Sequence, residues 1–183
     1  MTDAEYSEGE HVKETFAYFG RAYYQAGVFD AGLALAILFI EFLPSVKADY
    51  LKGKDKGHAF DRPAYEAASD KFLADQHAQT LGNLRKRLFA SSLLDDALKT
   101  EIDEAKKKRD FIAHHYSRER AVEFATHAGR DQMIAELDEI GNYLESVARR
   151  VDDIIEKAQL DLGLKPETIA AYTKRFMEAV AKG

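Results

Sequence analysis

The 183-residue chain has no cysteine and no tryptophan, and only three prolines and eleven glycines. Without thiols there are no disulfides, thiolate nucleophiles or cysteine-bound metals, and the composition suits a reducing, cytoplasmic setting. With so few prolines and glycines, helix breaks are scarce and long helices are expected. A basic balance is also missing. The net charge is −6, so nucleic acid is not a default partner, and cations gather only at residues 85–87 and 106–109. The longest apolar run, residues 31–40, lies between Asp30 and Glu41. It is about half of the roughly 20 residues a membrane span needs, so it reads as a core helix. The acidic, polar start is not a secretory signal. There is no phosphate-binding glycine loop, dinucleotide fingerprint or nucleophile elbow, which excludes those enzyme classes.

A hydrophobic content of 46% with 32% charge is that of a globular chain, and 183 residues suit one domain. Residues 1–12 read as a frayed N-terminus. From about Lys13, Phe16, Phe19, Tyr23, Phe29, Leu33, Ile37, Ile40 and Leu43 recur at helical steps. Gly20, Gly27 and Gly32 interrupt this helix at roughly 1 kcal/mol each against alanine, so close backbone packing is expected there. Pro44 is expected to end the helix. Residues 45–62, with four lysines and two glycines, read as a mobile loop. A second helix starts at Pro63 and runs to about Phe89, with a break near Thr80 to Gly82.

Ser91 and Ser92 are candidate caps for a third helix, whose apolar stripe is Leu94, Leu98, Ile102, Ala105 and Ile112. A short helix over 118–124, capped by Ser117, precedes a long one from about Arg130 to Ala158. Gly163 is placed to stop the long helix, and Pro166 starts an additional C-terminal helix over 164–183, with Ile169, Tyr172, Phe176 and Val180 on one face. The whole reads as an all-α, antiparallel bundle of five to six helices with a long penultimate helix.

Six histidines invite a metal, but no helix carries the Glu-x-x-His pairs of di-iron bundles. No metal or other cofactor is expected. His11, His58 and His127 read as surface residues, and a metal-binding bundle stays a minor alternative.

The stretch richest in chemistry is 106–116, KKKRDFIAHHY. At 100° per residue Arg109 falls within the same arc of about 80° as the apolar stripe, so it faces inward while Lys106, Lys107 and Lys108 fan outward. A cation on such a face needs an anion, a carboxylate such as Glu136 or Asp138, or a subunit interface. Arg109, Asp110, His114 and Tyr116 resemble the R-x4-H-x-Y signature of HEPN domains, helical bundles found in prokaryotic ribonucleases and toxin–antitoxin systems.

The resemblance implies an HEPN-like, metal-independent endoribonuclease acting on single-stranded RNA as a homodimer, with RNA as substrate. Two subunits would bring their motifs into one cleft. His114 would be general acid or base, Arg109 the phosphate clamp and Asp110 an orienting group. Tyr116 would contact substrate or be modified by a partner nucleotidyltransferase. His115 is the alternate histidine, and Lys106, Lys107 and Lys108 would attract the RNA backbone. An antitoxin is the other implied partner protein. The alternative is a non-catalytic HEPN-like helix bundle that serves as an interaction scaffold.

Overall fold

Apolar residues at three- and four-residue steps organise the longest helix, where Met133, Leu137, Ile140, Leu144, Val147, Val151, Ile154 and Ile155 are all buried. The computed structural model describes residues 8–77 and 81–180. Among them there are helices and no strand, as the periodicity predicts. The elements are α1 (Glu8–Ile37), a π-helical turn (Leu38–Phe42), α2 (Leu43–Lys54), α3 (Arg62–His77), α4 (Leu81–Phe89) and α5 (Asp96–His114). Two one-turn helices follow, α6 (Tyr116–Glu119) and α7 (Ala121–Phe124), and then α8 (His127–Asp161) and α9 (Pro166–Val180).

Contacts give the directions. Arg130 of α8 reaches Glu8, Arg21 reaches Asp138 and Asn142, and Lys47 donates to the Leu162 carbonyl at 3.0 Å. The two helices advance together, so α1 and α8 are parallel. Between them in sequence the chain reverses repeatedly. On α3, Phe72 stacks on Phe42, and Tyr65 reaches Tyr50 through Phe60, an antiparallel return. On α5, Arg109 meets Asp30 and the Tyr116 that follows meets Phe19, again antiparallel to α1. Consecutive long helices therefore alternate, but the principal seam is a parallel pair, not the antiparallel one expected.

Three other expectations are corrected. Pro44 does not end the first helix. The π-turn before it, where Leu43 N–H donates to the Leu38 carbonyl, shifts the ladder and lets helix continue to Lys54. Residues 45–54 are therefore helical, and only 55–61 connect α2 to α3. The N-terminus is helical from Glu8, with His11 only 2% exposed, while residues 1–7 lie outside the described residues. The expected break near Thr80 to Gly82 falls partly on 78–80, also outside them.

The caps differ as well. Asp95, not Ser91 or Ser92, caps α5 by accepting from Leu98 N–H. Thr126 caps α8 by accepting from Gly129 N–H, and Ser117 makes no cap. Carboxylate and threonine oxygens at the true N-cap satisfy free amides that the serines, three to nine residues upstream, do not reach. Gly163 does stop α8, at φ +83, with Leu164 N–H closing back on the Gln159 carbonyl.

The apolar half of α1 is less enclosed than its composition predicts. Leu33, Ala34, Ala36 and Ile37 are buried, but Val28 and Leu35 are 37% and 39% exposed. The continuous helix Glu8–Lys54 is long and apolar enough to cross a membrane by length and composition, a test that core helices also pass. Gly20 and Gly27 overturn the packing expectation. A Cβ at either would meet nothing within 4 Å, whereas at Gly32 it would sit 3.9 Å from Val151.

Two other glycines separate tight from ordinary packing. A Cβ at Gly129 would lie 2.1 Å from the Glu123 carbonyl oxygen, while one at Gly141 would lie 3.6 Å from Ala22 Cα. We expect Gly129→Ala to cost about 3 kcal/mol in urea unfolding. Gly141→Ala should stay within about 1 kcal/mol of the parent, because helix propensity offsets a normal contact.

Candidate functional site

Six of the candidate residues, Lys106, Lys107, Lys108, Arg109, Asp110 and His114, lie in the C-terminal half of α5, and the bundle treats them differently. Arg109 points at α1. Its Nε and Nη2 donate to Asp30 Oδ2 at 2.8 and 2.6 Å, and Nη1 donates to Asp110 Oδ1 at 3.1 Å. The expected carboxylate partners on α8 are taken by other cations, Glu136 by Arg120 and Asp138 by Arg21. Arg109 thus meets a carboxylate of its own fold, but one 79 residues away.

Asp30 and Arg109 line a cavity of about 220 Å3 with Gly27, Ala31, Gln76 and Leu84. Asp30 Oδ1 is buried there with no hydrogen-bond partner. Burial raises the Asp30 carboxyl above its ordinary range despite the guanidinium beside it. Burial pushes Asp110 upward too, but Lys106 and Arg109 together draw it below the usual carboxylate range. Asp110 accepts from Arg109 Nη1 and is shared with Lys106 at 2.5 Å.

His114 and His115 are exposed at the end of α5, with ring centroids 6.4 Å apart. Arg118 Nη2 lies 3.2 Å from His115 Nδ1. Five residues of helix turn His114 about 140° away from Arg109, so one chain does not converge them on one reacting atom.

Tyr116, expected as a substrate contact or modification site, is a core residue, 1% exposed, its hydroxyl donating to the Met133 carbonyl at 3.3 Å. Burial and the nearby Glu136 push its phenol well above the ordinary range. Its position follows from α5 ending at His114, which turns the next helical turn under α1 and against Phe19 and Phe111.

The lysine fan is also narrower than expected. Lys106 is bound by Asp110, Lys108 rests over the Tyr143 ring at 5.3 Å, and only Lys107 projects, beside Glu104 at 3.2 Å.

A second cluster joins the N-terminal ends of α1 and α8. His11, read as a surface residue, is buried, and its Nε2 lies 3.0 Å from Asp131. His127 Nδ1 lies 3.3 Å from the other Asp131 oxygen, and the donor atoms of all three residues fall within 4.8 Å. That spacing suits a metal ion, but the proton placement does not. Arg130 Nε donates to His11 Nδ1 at 3.3 Å, which puts the imidazole proton on Nε2, facing Asp131. The network assigns this tautomer. The cluster is a polar clasp between two helix starts, held by hydrogen bonds from Arg130 to His11, Glu8 and the Phe124 carbonyl. Helical spacing pairs His127 with Asp131, but nothing local in the sequence joins them to His11.

Comparison with known proteins finds no relative: no family model matches the chain, nor does any curated protein or solved structure.

Two stability measurements test the site. Arg109→Ala should cost about 1–3 kcal/mol because it strands the half-buried Asp30, and Asp30→Asn should cost less. A double-mutant cycle in urea should return a coupling of about 1 kcal/mol. The second measurement is against pH. Because the folded Asp110 pKa is lowered, its contribution is present above the unfolded pKa of about 3.9 and fades as pH falls through the folded value. The destabilisation by Asp110→Asn should therefore be largest near neutrality and shrink below about pH 4.

Proposed function

We propose that this chain is a non-catalytic helical interaction module whose working surface is the outward face of α1. One observation carries the reading. From residue 16 to residue 35 that face exposes Phe16 (60%), Tyr23 (55%), Tyr24 (70%), Val28 and Leu35, with Ala17, Gly20, Gly27 and Ala31 between them. Arg21, at its margin, is engaged by Asp138 and Asn142. Large apolar patches of this kind mark interaction sites on folded proteins. The motif residues support the same reading, since Arg109 and Tyr116 are each used in holding helices together and Asp110 is engaged by Arg109 and Lys106 on its own helix.

The second reading is the HEPN-type, metal-independent endoribonuclease. It is favoured by His114, His115 and Arg118 standing exposed together after Arg109. It needs a second chain to supply the other proton-transfer group, because one histidine does not both remove the 2′-hydroxyl proton and protonate the leaving oxygen.

Incubating the full chain, Arg109→Ala and His114→Ala with single-stranded RNA in chelator separates the two. We expect no cleavage above buffer in any of them. Cleavage by the parent that falls at least about 100-fold in His114→Ala would establish the ribonuclease and overturn the interaction module.

A further inference from the structure

We infer that the aromatic slot between α1 and the α6–α7 corner is a binding site for a small neutral aromatic molecule, a single ring carrying a hydrogen-bond acceptor. The slot stands apart from the interaction surface of α1 and shares only Phe16 with it.

The walls set size and shape. Phe16 pairs with Phe124 at 5.4 Å between ring centroids, and Phe19 pairs with Tyr116 at 5.8 Å. Both pairs line one cavity of about 360 Å3, together with the buried Met133. A closed apolar cavity of ~150 Å3 holds a benzene ring. This one therefore takes a ring with a substituent of a few heavy atoms, at the lower end of the ~300–1,000 Å3 of ligand sites. Aromatic walls suit an aromatic guest, because ring pairs add to the gain from apolar burial.

The interior offers water little. Its two hydroxyls are spent within the fold, Tyr116 donating to the Met133 carbonyl at 3.3 Å and Thr15 to the His11 carbonyl at 2.9 Å. Both residues are buried. Water there lacks the two to four polar partners that would order it. Displacing poorly held water with an apolar group gains affinity.

The remaining polar groups lie together at the mouth, where Ser117 and Ala121 are exposed and Arg120 is half-buried. Arg120 spends Nε and Nη2 on Glu136 at 2.8 and 2.6 Å, while Nη1 reaches only the Glu119 carbonyl, at 3.4 Å. Nη1 and the Ser117 hydroxyl are thus two donors for one ligand atom. Charge decides which atom. Glu136 already matches Arg120, and Glu123 acts on both Arg120 and Tyr116 through space, so a ligand carboxylate would enter beside two others. A cation would meet the guanidinium. The group that fits is an uncharged acceptor, such as the carbonyl of an aromatic ketone, ester or amide.

Acetophenone is the probe, followed by ligand-observed NMR and calorimetry on the full chain. It should bind one to one with a Kd of about 0.1–1 mM. Benzoate, of the same size but charged, should bind at least about 10-fold more weakly. Toluene, which lacks the acceptor, should bind about 3- to 10-fold more weakly. Ala121→Trp should block the mouth and abolish binding, while Val122→Trp, next to it but outside the cavity, should bind as the parent does. Ser117→Ala should weaken acetophenone about 3- to 10-fold and leave toluene unchanged. All three positions are exposed, so helicity should match the parent in each variant.

The absence of saturable acetophenone binding up to about 10 mM overturns the inference, as does binding that Ala121→Trp leaves intact. Benzoate binding as tightly as acetophenone overturns the neutral class, and a Ser117→Ala variant with unchanged affinity overturns the polar contact at the mouth.

Discussion

The parallel seam between α1 and α8 is the contact on which the other elements depend. Ala22, Ala26, Phe29, Leu33 and Ile37 bury one face of α1, and the stripe from Met133 to Ile155 buries one face of α8. Gly141 packs on Ala22, where a Cβ would make an ordinary 3.6 Å contact with the Ala22 Cα. Each fully buried Leu, Ile or Phe side chain contributes about 1.5–3 kcal/mol, so this seam outweighs any single polar contact in the chain. A parallel pair sets like dipole ends side by side, which is unfavourable. Acidic groups relieve it at the N-terminal ends, where Glu8, Glu10 and Asp131 gather. Alongside the pair, α5 runs the other way and carries Leu98, Ile102, Ala105 and Ile112 into the same core.

Around the seam the arginines share one task. Arg21 ties α1 to Asp138 on α8, Arg87 ties α4 to Glu41, and Arg85 ties α4 to Asp103 on α5. Arg120 holds α7 to Glu136, Arg130 holds α8 to Glu8, and Arg109 holds α5 to Asp30. Each sits at a junction between elements with its fork on a carboxylate, a geometry guanidinium satisfies better than ammonium. In this setting Arg109 is one of a series. Its inward direction follows from helical geometry alone, and its partner turns out to be a neighbouring helix.

That difference shows where the sequence was legible. The stripe Leu94 to Ile112, the length of α8 and the stop at Gly163 are periodic or conformational signals that act within a few residues, and all of them were readable. So was the inward face of Arg109. Its partner Asp30 was not, because the pairing depends on which helices meet and in which direction. The parallel direction of α1 and α8 follows from the sum of the intervening reversals, and one of those was misplaced when Pro44 read as a stop. Proline does break a regular α-helix, but a π-turn just before it removes the conflict, and that adjustment leaves no mark in composition. Tyr116 was not legible either, because a helix end at His114 turns the tyrosine into the core.

The glycines of α1 carry the argument furthest. A helix that forms the principal seam is under pressure to be stable, and Gly20 and Gly27 work against that pressure on its outer side. Internal crowding explains Gly129, where the Glu123 carbonyl leaves no room for a side chain. It does not explain two outward glycines flanked by Phe16, Tyr23 and Tyr24, which are all more than half exposed. Alanine at both positions would strengthen the helix by about 2 kcal/mol and cost the monomer nothing. Bare backbone beside a row of exposed aromatics is what the proposed interaction surface would present to a partner.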